Sequence, residues 1–190
     1  MFIVKNKYFL LVESTKDFDL ENIKIRNKFS IIYRNYKSTD KIEDLLIFRK
    51  NCKKKSVKFY VANNLKLAIM LRSDGIYLPS FNKHLKFLRY KRFNFAIIGS
   101  AHNFKEIILK NKQGCSYIFL SKLFLVDYSK NDPFHGVLKF NCLSRNSKKI
   151  IALGGIKEKN LNRLNYVFGE GIALLSEIKK KPANIINRLF

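Results

Sequence analysis

The chain has 190 residues, 47% of them hydrophobic and 14% aromatic, which excludes a disordered basic tail even though 38 Lys and Arg face only 14 Asp and Glu. At this length one domain is expected, residues 1–190, burying roughly 70% of the surface its unfolded chain exposes. The formal charge of +24 is shared between both halves, and its longest runs, Lys53-Lys54-Lys55 and Lys179-Lys180-Lys181, are short; it reads as solvated surface or an anionic-ligand field, and no specific nucleic-acid partner is expected.

In chain order, short apolar runs occur at Tyr8–Val12, Phe29–Tyr33, Val57–Val61, Gly75–Leu78, Phe95–Gly99, Tyr117–Leu120, Lys149–Leu153 and Gly171–Leu175. Between them lie segments with apolar residues three and four apart. Asp40–Asn51 places Ile42, Leu45, Leu46 and Arg49 on one helical face, and Asn103–Asn111 does so with Phe104, Ile107 and Ile108. Asn103 reads as the N-cap of the latter helix, with Glu106 in the capping-box position. Asn160–Val167 offers Leu161, Leu164 and Val167.

Strand-like runs alternating with helix-like segments, and few hairpin signals, indicate βα units and a parallel sheet. Eight such units predict a (β/α)8 TIM barrel with some short or degenerate helices, the piece between Leu78 and Phe95 being one; a doubly wound α/β fold is the alternative. No apolar run reaches the ~18 residues that span a bilayer, and Phe119–Val126 is interrupted by Lys122. No membrane partner is therefore expected. The first residues lack the long apolar core of a secretory signal, so the expected compartment is the cytoplasm. Cys52, Cys115 and Cys142, odd in number and far apart, read as small buried hydrophobes.

Barrel enzymes work at the C-terminal strand ends and bind phosphate at the loops after strands seven and eight. Leu153-Gly154-Gly155-Ile156 follows the seventh run, where two glycines let backbone N–H groups approach an anion. Leu174-Leu175-Ser176 ends the eighth, just before a predicted helix start.

Five pieces in order resemble one family, that of thiamine phosphate synthase and TenI. They are Ser73-Asp74-Gly75-Ile76-Tyr77-Leu78, Ser100-Ala101-His102-Asn103 followed by Glu106, Gly114-Cys115-Ser116-Tyr117, Ala152-Leu153-Gly154-Gly155-Ile156 with the later Asn160, and Gly171–Ile178. The resemblance covers nearly the whole length. It implies a barrel that joins hydroxymethylpyrimidine diphosphate to thiazole phosphate and releases pyrophosphate, with Mg²⁺ on two Asp, or else a TenI-type tautomerase that uses a His to carry protons.

Carried over residue by residue, the resemblance implies that Gly154, Gly155, Leu175 and Ser176 hold the thiazole phosphate. Ser100 falls on the residue that touches pyrophosphate, His102 on the TenI proton carrier, and Arg34 on the cation after the second strand. The lysine that accompanies this Arg falls on Tyr36, beside Lys37, and the sixth-loop lysine on Ser129, beside Lys130. The metal positions fall on Asn63 and Asn82, so both carboxylates are replaced; a shift of one residue pairs Asn63 with Asn64 and restores no Asp. An amide oxygen offers Mg²⁺ a dipole where the ion favours charge. Three readings follow: a synthase in which lysines such as Lys37, Lys83 and Lys130 take over part of the metal's charge, a TenI-like tautomerase, and a non-catalytic barrel that binds a phosphorylated ligand.

Overall fold

The computed structural model describes residues 5–23, 25, 27–35, 40–127, 131–145 and 149–175. Eight strands follow the apolar runs closely: β1 (Lys7–Val12), β2 (Phe29–Tyr33), β3 (Lys58–Ala62), β4 (Gly75–Leu78), β5 (Ala96–Ala101), β6 (Tyr117–Ser121), β7 (Ile150–Leu153) and β8 (Gly171–Leu174). They pair in parallel in sequence order, and β8 closes onto β1 with Lys7 opposite Gly171. The result is a (β/α)8 TIM barrel.

The strands read as nearly continuous apolar runs because both of their faces are covered. Along β1, Phe9 and Leu11 point into the barrel while Tyr8, Leu10 and Val12 point to the outer layer. Aromatic rings fill the barrel: the Phe119 ring lies 4.9 Å from that of Phe9 and 5.4 Å from that of Tyr77. Offset aromatic contacts of this kind add to the area they bury.

The outer layer is thin, which is how the barrel fits its length. Four α-helices are described: α1 (Ile42–Lys54), α2 (Leu65–Met70), α3 (Phe104–Lys112) and α4 (Gly136–Ser144). Between β4 and β5 and between β7 and β8 the chain runs as 3-10 helix, Leu85–Phe93 and Glu158–Tyr166. The latter buries Leu161 and Leu164, as their spacing predicts, and Val167 just beyond it is buried too.

Three sequence expectations need correction, the first at α3, which buries Ile107 and leaves Phe104 and Ile108 exposed. Helix α1 turns Leu45, Phe48 and Cys52 to the sheet and leaves Ile42 and Leu46 nearly half exposed. Arg49 instead reaches down to Asp74 at 3.2 Å. Cys52 and Cys115 are buried, whereas Cys142 is exposed. Among the described residues no helix is long and apolar enough to cross a membrane.

Candidate functional site

The C-terminal strand ends frame a cup of about 190 Å³. Arg34 enters from the end of β2, Ser100 and His102 from β5, Gly154 and Gly155 from β7, and Leu175 from β8. Tyr77, Pro79 and Phe81 form the wall after β4, and Lys122, Asp127 and Lys157 complete the rim. Six residues singled out from sequence are thus brought to one cavity.

The turn after β7 is tightly determined. Leu123 N donates to Leu153 O at 2.9 Å and Phe124 N to Gly154 O at 3.0 Å, so the chain after β6 lies along it. Gly154 and Gly155 have φ of +95° and +68°. A Cβ on Gly155 would lie 2.4 Å from the Phe124 carbonyl oxygen, so only glycine fits. Asn160 locks the turn from the following 3-10 segment: its Nδ2 donates to Gly155 O at 2.7 Å and its Oδ1 accepts from Lys157 N at 2.8 Å. Among the described residues no acceptor takes the backbone N–H groups of Gly154, Gly155 or Ile156. Successive free amides in such a turn form a concavity suited to an anion.

Charge on this side comes from half-buried lysines. Lys157 pairs with Asp127 and Lys122 with Asp132. His102 Nδ1 meets the Ser121 carbonyl oxygen at 3.1 Å, which leaves Nε2 as the ring nitrogen for a ligand. The His102 backbone N–H donates to Glu106 Oε2 at 2.7 Å, and Asn103 Oδ1 accepts from Glu106 N at 3.0 Å, so the capping interaction that starts α3 also fixes His102.

The side after β3 and β4 is built differently. Asn82 Nδ2 donates to Asn63 Oδ1 at 2.7 Å, and Asn82 Oδ1 accepts from His84 N at 3.1 Å. Both amide oxygens are therefore engaged. Lys110, from α3, is fully buried behind this loop, and burial pushes its ammonium below the usual lysine range. Among the described residues no cluster of three His, Cys, Asp or Glu could hold a metal ion. Mg²⁺ demands charged, near-octahedral oxygen ligands, and two amides already bonded to protein donors do not fit it.

Comparison with known proteins matches residues 6–178 to the family described as thiamine monophosphate synthase. The chain belongs to that family. It is 29% identical over 184 residues to the thiamine-phosphate synthase of Prochlorococcus marinus strain AS9601, covering 93% of this chain and 52% of that protein. With the thiamine-phosphate synthase of Persephonella marina it shares 26% identity over 149 residues, 77% of this chain and 71% of that protein. The chain thus spans about half the length of the former relative. Thiamine phosphate pyrophosphorylase from Pyrococcus furiosus superposes with a TM-score of 0.73 at 18% identity, covering 97% of each chain. A 3-hexulose-6-phosphate synthase superposes with a TM-score of 0.67 at 10% identity, covering 96% of this chain and 97% of that one. At these identities the structural likeness speaks for the barrel alone.

Within the family framework, the residues noted from sequence separate into three groups. Arg34, Ser100, His102, Gly154, Gly155 and Leu175 meet in the cup, whereas Asn63 and Asn82 bond to each other outside its lining. Lys37, Lys130 and Ser176 lie outside the described residues. Asp74, central to one family-like piece, sits at the opposite end of the barrel, where its carboxylate takes the Phe59 N–H at 2.7 Å and pairs with Arg49. Sequence reasoning missed Lys110, Gln113 and the rim pair Lys157–Asp127. For Lys110 a signal existed: it stands three residues after Ile107, on the stripe that faces the sheet.

Proposed function

We propose that the chain acts in thiamine biosynthesis as a thiamine phosphate synthase-type protein, seating thiazole phosphate in the cup and joining it to hydroxymethylpyrimidine diphosphate. The observation that carries this reading is the Gly154-Gly155-Ile156 turn, which lines the cavity and whose three N–H groups find no acceptor among the described residues, in a chain of this family. In the reaction the bond between the pyrimidine methylene and the diphosphate oxygen breaks, the thiazole nitrogen bonds to that carbon, and pyrophosphate leaves with the electron pair. The protein's task is to hold the two reactants in line and to stabilise charge that grows on the leaving group. Arg34 and Ser100, at the ends of β2 and β5, are the groups we assign to the diphosphate. Lys37 and Lys130 are assigned to the same task from sequence position. Leu175, which lines the cup, and Ser176, from its sequence position, are assigned to the thiazole-phosphate seat.

The family in general works with Mg²⁺, but the donors here do not fit the ion, and no step is assigned to it. A second reading, a TenI-like tautomerase, is favoured by one observation: His102 lines the cup with Nδ1 engaged and Nε2 left over. Thermal-shift titration with thiazole phosphate, pyrophosphate and thiamine phosphate, followed by a turnover assay with both precursors, tests these readings. Protection by thiazole phosphate together with formation of thiamine phosphate is the expected result. Protection without turnover, and an isomerase activity lost in His102→Ala, would replace it with the second. No protection by any of the three would overturn both.

A further inference from the structure

Behind the wall after β4 stands a cation that residue type alone assigns to solvent. Lys110 Nζ donates to Pro79 O and to Asn82 O, each at 2.8 Å. Gln113 Nε2 reaches the same Asn82 oxygen at 3.0 Å and His84 O at 2.9 Å. Room for the lysine stem comes from β5: a Cβ on Gly99 would lie 2.6 Å from Lys110 Cδ. Burying a charge is costly unless it is paired or hydrogen-bonded. Here the bonded partners are neutral carbonyls, and no carboxylate forms an ion pair with it among the described residues. Glu106, four residues earlier on α3, offsets part of its charge from a distance without forming an ion pair. Pro79, one of its two acceptors, lines the cup.

The same loop suits a divalent ion poorly, since Asn63 and Asn82 offer neutral amide oxygens, each already accepting one N–H, where the ion favours carboxylates. An ion placed there would also be repelled by the ammonium. We propose that Lys110 supplies the fixed positive charge which this side of the cup presents to an anion, and that this side works without a divalent cation. The anion half rests on the reading of the cup as a phosphate site; the metal half does not.

Mn²⁺ titration of the whole chain, followed by electron paramagnetic resonance with and without thiamine phosphate, tests the metal half. No protein-bound Mn²⁺ at one equivalent is expected, and stoichiometric binding would overturn the proposal. Calorimetric titration with pyrophosphate in EDTA tests the anion half on wild type, Lys110→Gln and Gln113→Leu. Lys110→Gln keeps an N–H donor and drops the charge, so pyrophosphate affinity should fall about tenfold. Gln113→Leu removes loop bonds but no charge and should stay within about twofold, with thiazole phosphate binding kept in both. Equal losses in the two variants, or none in Lys110→Gln, would overturn the charge role. Should Lys110→Gln fail to melt cooperatively, Lys110→Met takes its place. Thiazole phosphate binding without pyrophosphate binding in wild type overturns this proposal and leaves the reading of the cup standing. Absence of both overturns that reading, while the Mn²⁺ arm still decides the metal half.

Discussion

The loops after β7 and after β4 face each other across one cup and are stabilised by opposite means. On the β7 side the backbone does the work: two glycines in left-handed conformation, the Phe124 and Leu125 carbonyls close beside them and one amide, Asn160, leave three N–H groups without an acceptor among the described residues. On the β4 side the polar side chains bond mostly inward, Asn82 to Asn63 and His84, and Lys110 and Gln113 to the loop carbonyls. One side is open to a ligand by direct bonds; the other acts on it through a charge behind a wall. On the proposal made above, the site keeps half of its recognition while the chemistry of its other half is replaced.

Gly155→Ala should break the comparison most severely. Its methyl would meet two backbone carbonyls within 2.5 Å, at a φ that non-glycine residues adopt only with strain. A loss of about 3 kcal/mol in urea unfolding is expected, from overpacking and backbone strain together, with thiazole phosphate binding abolished. Retained binding would show that the turn is not the phosphate seat. Asn160→Ala is gentler: the Gly155 carbonyl and the Lys157 N–H lose their partner, at a cost of about 2 kcal/mol. Affinity for thiazole phosphate should fall about tenfold, the equivalent of 1.4 kcal/mol, as the turn loosens; calorimetry reads it. On the other side, Asn63→Ala removes the acceptor of Asn82 at a residue of φ +52° and should cost about 1 kcal/mol. Because that amide pair lies outside the cup lining, thiazole phosphate affinity should stay unchanged. A matching loss in Asn63→Ala would mean that the two sides are one unit.

The strands were legible because a buried parallel sheet demands unbroken apolar runs, and the order of those runs carried the barrel with it. The six-residue α2 is too short to show a period, and in α4 only Phe140 and Ser144 are fully buried, so neither stood out. The face of α1 was misread because Ile42 and Leu46 have the right spacing, yet the sheet takes the adjacent stripe that ends in Cys52. At the site, the glycine pair and His102 were visible because their chemistry is local to a few residues. Lys110 was not. Its burial depends on Gly99, eleven residues away on another element, and on carbonyls of a loop nearer the start of the chain. Its place three residues after Ile107 is the one local hint, and the partners that make its burial tolerable lie outside that run of sequence.

The smallest expected effect separates the two sides by pH. His135 N donates to Lys122 O at 2.9 Å, and its buried Nε2 finds no hydrogen-bond partner among the described residues. Burial pushes the imidazole below its usual 6.5; contacts with the Ser121 and His102 backbone raise it in part, and the charges of Lys139 and His102 lower it. In the unfolded chain His135 takes a proton near pH 6.5, whereas the folded chain resists until lower pH, so between those values the unfolded state binds more protons. This contribution to stability is present above 6.5 and is lost as pH falls through the folded value. The urea midpoint should thus decline as pH falls below about 6.5, and His135→Gln should flatten that decline. Since His135 supports the Ser121–Lys122 segment that runs beside the Gly154 turn, thiazole phosphate affinity should weaken over the same range in wild type and less in the variant. A decline that survives His135→Gln would assign the titration to another group and cut the tie between acid and the β7 side.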